Sequence, residues 1–258
     1  TAAQRKLLVG CAPDTFLGAG IQTCRKIIDD GLIGEIVSAM AFMTCHGHEG
    51  WHPDPEFYYK AGGGPMLDMG PYYLTALVNL MGPMQKVTGA VSQAFTERIA
   101  GSGNKKGKKI IVETPTHITG TIKFTNGAIA AVIMSFDIWQ STVPRIEVHG
   151  TKGSLLVPDP NTFGGPVKLF KEGVDTWTEI PVNKFSYAEN SRGIGLADMA
   201  LAMLEHRTHR ANAEMANHVL EAMLAFEASS KNGKTVELKT SCLKPDAMPA
   251  GLVYGQNW

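Results

Sequence analysis

The sequence predicts an α+β fold: a large, mostly antiparallel open sheet with helices on one face. Three observations predict it. Six segments between Val87 and Phe170 have the alternation or the short apolar runs of strands. Asn126-Gly127 and Thr151-Lys152-Gly153 join neighbouring segments as tight turns, which makes those strands antiparallel. Segments with helical spacing lie before and after this block, and helices set apart from antiparallel strands cover one face of a sheet.

The elements follow in order. Lys6 to Cys11 is a short apolar run ended by Ala12-Pro13 and predicts a buried strand. Asp14 or Thr15 is placed to cap a helix over Phe16 to Asp30, which Gly31 closes. Gly34 to Cys45 is partly alternating and predicts a strand. Asp54 to Lys60 predicts a short helix, and Gly62-Gly63-Gly64-Pro65 a break. Asp68 to Met81 predicts a helix closed by Gly82-Pro83. The strands are Val87 to Phe95, Thr116 to Phe124, Ala128 to Asp137, Arg145 to Val148, Ser154 to Val157 and Val167 to Phe170. Residues 101–109, with four lysines, predict a mobile solvated loop. Helices are expected over Gly195 to Glu205 and Ala213 to Ser230, then a last strand over Thr235 to Leu238. The Pro/Gly-rich tail from Lys244 is expected to wrap the surface.

Composition narrows the function. Lys+Arg equals Asp+Glu at 24 each, so no global basic field draws in nucleic acid or an anionic membrane. The four cysteines have no CxxC or metal-finger spacing and read as reduced thiols of a cytoplasmic protein. No apolar run reaches the ~18 residues of a membrane helix, and no secretory signal is visible.

Two glycine-rich stretches invite a functional reading. In Leu8 to Thr23, Gly18-Ala19-Gly20 mimics a dinucleotide fingerprint. Thr23 stands where the third glycine belongs, however, and Pro13-Asp14 starts the helix before Gly18. Close packing explains these glycines better than a phosphate cradle. In Gly62 to Tyr73, three glycines precede Asp68, read as an N-cap, with Pro71 in the first turn. Asp68 and Tyr72 are i and i+4 and share one helix face. A carboxylate and a phenol in one space suit proton exchange at a hydroxyl or carbonyl. A phenol titrates near ~10 and needs a nearby cation to act as a base. The same residues also admit a structural role, Asp68 as a cap and Tyr72 as packing.

The stretch "GGGPMLDMGPYYLTALVNLMGP", with "GLIGEIVSA", "RIEVHGTKGSL" and "RGIGLADMALAM", resembles the glucose–fructose oxidoreductase/inositol dehydrogenase (Gfo/Idh/MocA) family over nearly the whole chain. The resemblance implies an N-terminal Rossmann domain joined to a C-terminal α/β domain with an open sheet. It also implies hydride transfer between NAD or NADP and a sugar, polyol or related hydroxyl compound. Asp68 matches the family's substrate-binding aspartate, and Tyr72 stands where a histidine acid/base is usual. The family's Glu-Lys-Pro motif has no counterpart in this sequence. "KLLVGCAP" resembles the last Rossmann strand. On this resemblance, residues 1–14 are the end of a dinucleotide-binding domain and 15–258 a substrate-binding and oligomerisation domain. The main cofactor site then lies upstream, and the fragment alone is inactive. A homo-oligomer through the open sheet face is expected. The alternative is a non-catalytic sugar-binding or regulatory protein on the same fold.

Trp51, His52, Tyr59, Lys60, Gly63 and Gly64 are further substrate-binding candidates, since aromatic and imidazole groups suit sugar faces and hydroxyls. His46, His48 and His52 invite a metal reading, but Glu49 is their only nearby acidic companion, and no metal site is expected. Arg192 is placed either to reach the pocket or to start a helix. Arg145 is read as a salt-bridge partner, His149 as structural, and His206, His209 and Arg210 as cations at a helix C-terminus.

Overall fold

The computed structural model describes residues 2–251. Nine strands form one sheet in the order β10-β9-β8-β7-β1-β6-β5-β2-β11. In chain order, helix α1 (Ala19–Asp29) precedes β1 (Ile36–Thr44), and α2 (Gly64–Met81) precedes β2 (Met84–Ser92). A small separate hairpin, β3 (Glu97–Ile99) and β4 (Lys109–Ile111), follows. The main sheet continues with β5 (His117–Phe124), β6 (Ile129–Ser135), β7 (Ile146–Gly150), β8 (Gly153–Val157), β9 (Val167–Lys171) and β10 (Thr178–Ile180). Helices α3 (Ile194–Glu205) and α4 (Ala213–Asn232) and strand β11 (Val236–Glu237) complete it.

Short turns make consecutive strands antiparallel neighbours. Gly127, at φ 92°, sits in the turn between β5 and β6, and the Asn126 side chain accepts from the Ala128 N–H. The exception is β1, which lies between β6 and β7 and runs parallel to β6, Met40 opposite Ala131 and Phe42 opposite Ile133. A long connection, 136–145, separates β6 from β7 and leaves room for it. The C-terminal ends of β1 and β6 therefore emerge side by side.

Helix α2 touches both α1 and α4, and the three helices cover one sheet face. Ala39, Ala41, Met43, Ala130, Val132 and Met134 meet them there. The alternate residues, among them Met40, Phe42, Ala131, Ile133, Leu156 and Phe170, line the other face, half-buried by each other.

Several expectations are corrected. Lys6 to Cys11 is not a buried strand: Leu7, Leu8 and Val9 are exposed, and only Gly10 bridges, to Asn212. No strand among the described residues lies beside them to supply ladder partners. Asp14 does not cap α1. Its carboxylate accepts from the N–H groups of Gly193 and Gly195 at 2.8 and 3.0 Å, and so caps α3. Helix α2 begins four residues before Asp68, with Gly63 as N-cap and Pro65 in the first turn. Pro65 presets the helical φ and has no N–H to satisfy. Asp68 is therefore not a cap, and Pro71 lies inside the helix. The 101–109 loop is pinned, because Lys105 reaches Asp54 at 2.6 Å and Glu56 at 3.2 Å. Arg210 is no helix-end cation but is buried against Asp198. It also donates to the carbonyls of Asp246 and Ala247, which holds the tail down. The tail also anchors on α1, where Gln22 accepts from Met248 N–H and Arg25 donates to Pro245. Its last residues, 252–258, lie outside the described residues.

Candidate active site

The chain leaves β1 at Thr44 and passes through His46, His48 and Glu49 at the C-terminal end of the parallel pair. Phe136 and Asp137 follow β6 at the same end. A buried cluster fixes this segment. Arg98, from β3, donates to Glu49 at 3.0 Å and also pairs with Asp137. Tyr59 donates its O–H to the other Glu49 oxygen, and Thr116 donates to Asp137 at 2.7 Å. Every carboxylate of the cluster has a cation or hydroxyl partner, as low-dielectric burial requires.

His48 is thereby aimed at α2. Its Nε2 lies 3.0 Å from Asp68 Oδ2. The imidazole is walled by Trp51, Tyr58 and Phe136 at ring distances of 5.3, 4.6 and 4.7 Å. Asp68 keeps 26% of its side chain exposed, so it is reachable while anchored. Burial, and then the nearby negative charges of Asp68 and Tyr72, push the Tyr58 phenol above the ordinary tyrosine range, so it remains a donor. The Arg192 guanidinium lies 5.8 Å from the Tyr72 ring centroid. The Asp68–Tyr72 face thus gathers a carboxylate, two phenols, an imidazole and a cation.

The other predicted residues divide. Trp51 is 62% exposed at the rim, edge-on to His48 and His52. His52 accepts from the Asp54 N–H and packs against Tyr58. Tyr59 is fully buried on Glu49, and Lys60 is engaged by Glu113 at 2.7 Å and Glu56 at 3.8 Å. Gly63 and Gly64 bring backbone against backbone rather than against a ligand. A Cβ on Gly63 would lie 2.5 Å from the Phe57 carbonyl oxygen, and one on Gly64 2.8 Å from that of Pro115. The cavity beside them holds about 30 Å³, far below the several hundred Å³ of ligand pockets. Two larger clefts are lined by neighbours of this site, though neither is lined by His48, Asp68 or Tyr72. One of about 350 Å³ runs between Arg192, Gly195 and Ala12, and one of about 550 Å³ between α2 and α4 beside Pro71.

His48 was not among the sequence candidates for catalysis or binding. Its signal was a histidine just beyond a strand that shares its end with β6, and that neighbourhood is topological. The three histidines serve different partners. His46 stacks on Trp139 at 3.4 Å and meets Arg98, and burial with that positive charge holds its imidazole below the ordinary range. Among the described residues, no group of three or more His, Cys, Asp or Glu could hold a metal ion.

The N-terminus of α1 does not fit a dinucleotide pyrophosphate. A Cβ on Gly18 would lie 2.6 Å from Phe163 Cα, and one on Gly20 1.9 Å from the Gly164 carbonyl oxygen. Another segment's backbone fills the space a phosphate would need.

The sequence pattern of the GFO/IDH/MocA C-terminal domain matches residues 21–156. The fold is similar to an NAD binding oxidoreductase from Klebsiella pneumoniae, with TM-score 0.74 and 18% identity over 92% of this chain and 68% of that one. It is similar to levoglucosan dehydrogenase in complex with NADH and L-sorbose, with TM-score 0.68 and 18% identity over 88% of this chain and 64% of that one. It is also similar to an oxidoreductase from Agrobacterium radiobacter in complex with NAD+, L-tartaric acid and magnesium, with TM-score 0.68 and 14% identity over 91% and 66%. At such identities the likeness is one of fold, and this chain spans about two thirds of each. No curated protein matches the sequence.

Proposed function

The chain belongs to the GFO/IDH/MocA family, and from that premise we propose that it forms the substrate side of an NAD(P)-dependent oxidoreductase acting on a sugar, polyol or related hydroxyl compound. Residues outside this chain bind the dinucleotide, and the occluded α1 N-terminus supports that division. NAD is the dinucleotide named with the levoglucosan dehydrogenase and Agrobacterium proteins.

The chain's own residues bind, orient and exchange a proton. Asp68, anchored through one oxygen by His48, offers the other to a substrate hydroxyl. Tyr72 and the protonated Tyr58 hydrogen-bond neighbouring oxygens. Trp51 and His52 form the aromatic and polar rim against which a sugar face packs. The observation that carries this reading is the Asp68 carboxylate, held at 3.0 Å by His48 yet open to solvent, one helix turn from Tyr72.

The test is nicotinamide reduction by the intact protein across sugars, polyols and hydroxy acids with either dinucleotide. Turnover of at least one hydroxyl compound is expected. Binding of a sugar with no turnover of any compound would overturn it in favour of a non-catalytic sugar-binding protein.

A further inference from the structure

His48 comes from the β1 end and Asp68 from α2, so their contact is made by tertiary structure. The His48 side chain is 15% exposed, and Trp51, Tyr58 and Phe136 exclude water from most of it. A charge pair in such a site is screened far less than one on the surface. The groups facing the imidazole are few. Asp68 faces it from α2 and the Tyr58 phenol from the Glu56–Tyr59 turn. Glu49, next in the chain, is neutralised by Arg98 and Tyr59. His52, whose N–H donates to the His48 carbonyl, turns its ring to Tyr58 and Trp51. Phe136 and Trp51 carry no charge.

We propose that His48 is a positioning residue that acts through Asp68; this deepens the oxidoreductase reading above and rests on it. Its Nε2–H donates to Asp68 Oδ2 at 3.0 Å. This fixes the carboxylate and leaves Oδ1 to accept the substrate hydroxyl. As the substrate O–H bond breaks, its proton passes to Asp68 and from there to solvent.

Two variants separate this from a packing role. Gln in place of His48 can donate the same hydrogen bond. His48→Gln is expected to stay within about tenfold of wild type in kcat/KM. His48→Ala, which loses the donor, is expected to fall about a hundredfold, mainly in kcat. A loss in His48→Gln as large as that in His48→Ala, or full activity in His48→Ala, would overturn the proposal. A second measurement needs neither cofactor nor turnover: NMR of the histidine side chains in wild type and Asp68→Asn. The His48 ring signals are expected to shift in the variant, and identical signals would overturn the proposal. Absence of any NAD(P)-linked turnover would sink the oxidoreductase reading alone, since the NMR comparison still decides whether the pair exists.

Discussion

At Arg98 a single guanidinium serves Glu49, Asp137 and the His46 carbonyl from a nearly buried position. Removing it strands two buried carboxylates. Arg98→Met is expected to destabilise the fold by about 3–5 kcal/mol in urea unfolding; a loss below about 1 kcal/mol would show that the carboxylates relax to water. Tyr72 makes a different claim. Tyr72→Phe keeps the ring under Arg192 but removes the hydroxyl, so kcat/KM is expected to fall at least about tenfold with the unfolding midpoint unchanged. That Asp68 and Tyr72 lie one turn apart on a single helix was legible in the sequence, because i and i+4 spacing is local. His48 was not, because its 20-residue separation from Asp68 closes only when β1 and α2 pack. Tyr59 looked like a ligand for the same reason: nothing in "EFYYK" tells which phenol meets His48 and which meets Glu49.

At the scale of elements, α4 is tied to the sheet through His218. Its Nε2 accepts from the Met84 N–H at 2.9 Å, and its Nδ1 lies 3.1 Å from the Thr240 hydroxyl. Burial holds this imidazole below its ordinary range, against the opposing pull of Glu221. As pH falls through about 6.5, the unfolded chain takes up a proton here and the folded chain does not. Stability is therefore complete above that pH and declines below it, until the folded His218 protonates too. His218→Gln is expected to flatten the dependence of unfolding free energy on pH just below about 6.5, and an unchanged slope would contradict the assignment. Elements with strong local signals were legible: the Asn126-Gly127 hairpin, β1 and the two last helices. The start of α2 was not, since Asp68 advertises a cap while Gly63 and Pro65 supply one. Leu7 to Val9 advertises burial that no described strand provides. The short strands β3, β4 and β10, of three residues each, carry too little pattern to be read.

For the whole molecule, the face of the sheet opposite the helices displays Met40, Phe42, Ile133, Leu156 and Phe170 beside Glu147, His149 and Lys168. We propose that this mixed face packs on a second copy. Light scattering at roughly 50 µM is expected to report a dimer or larger, and Phe42→Glu to shift it toward monomer. A wild-type monomer would contradict this. The parallel β1–β6 pair is what the antiparallel pattern concealed. It places two strand ends together, and the candidate site is built on that adjacency.

The most direct test of the central claim is the kcat/KM of the intact protein with its best hydroxyl substrate, in wild type and in Asp68→Asn. Asn preserves shape but cannot hold the proton. A fall of about 10²- to 10⁴-fold with the fold intact is predicted. Activity within about threefold of wild type would contradict the placement of the chemistry on this helix turn.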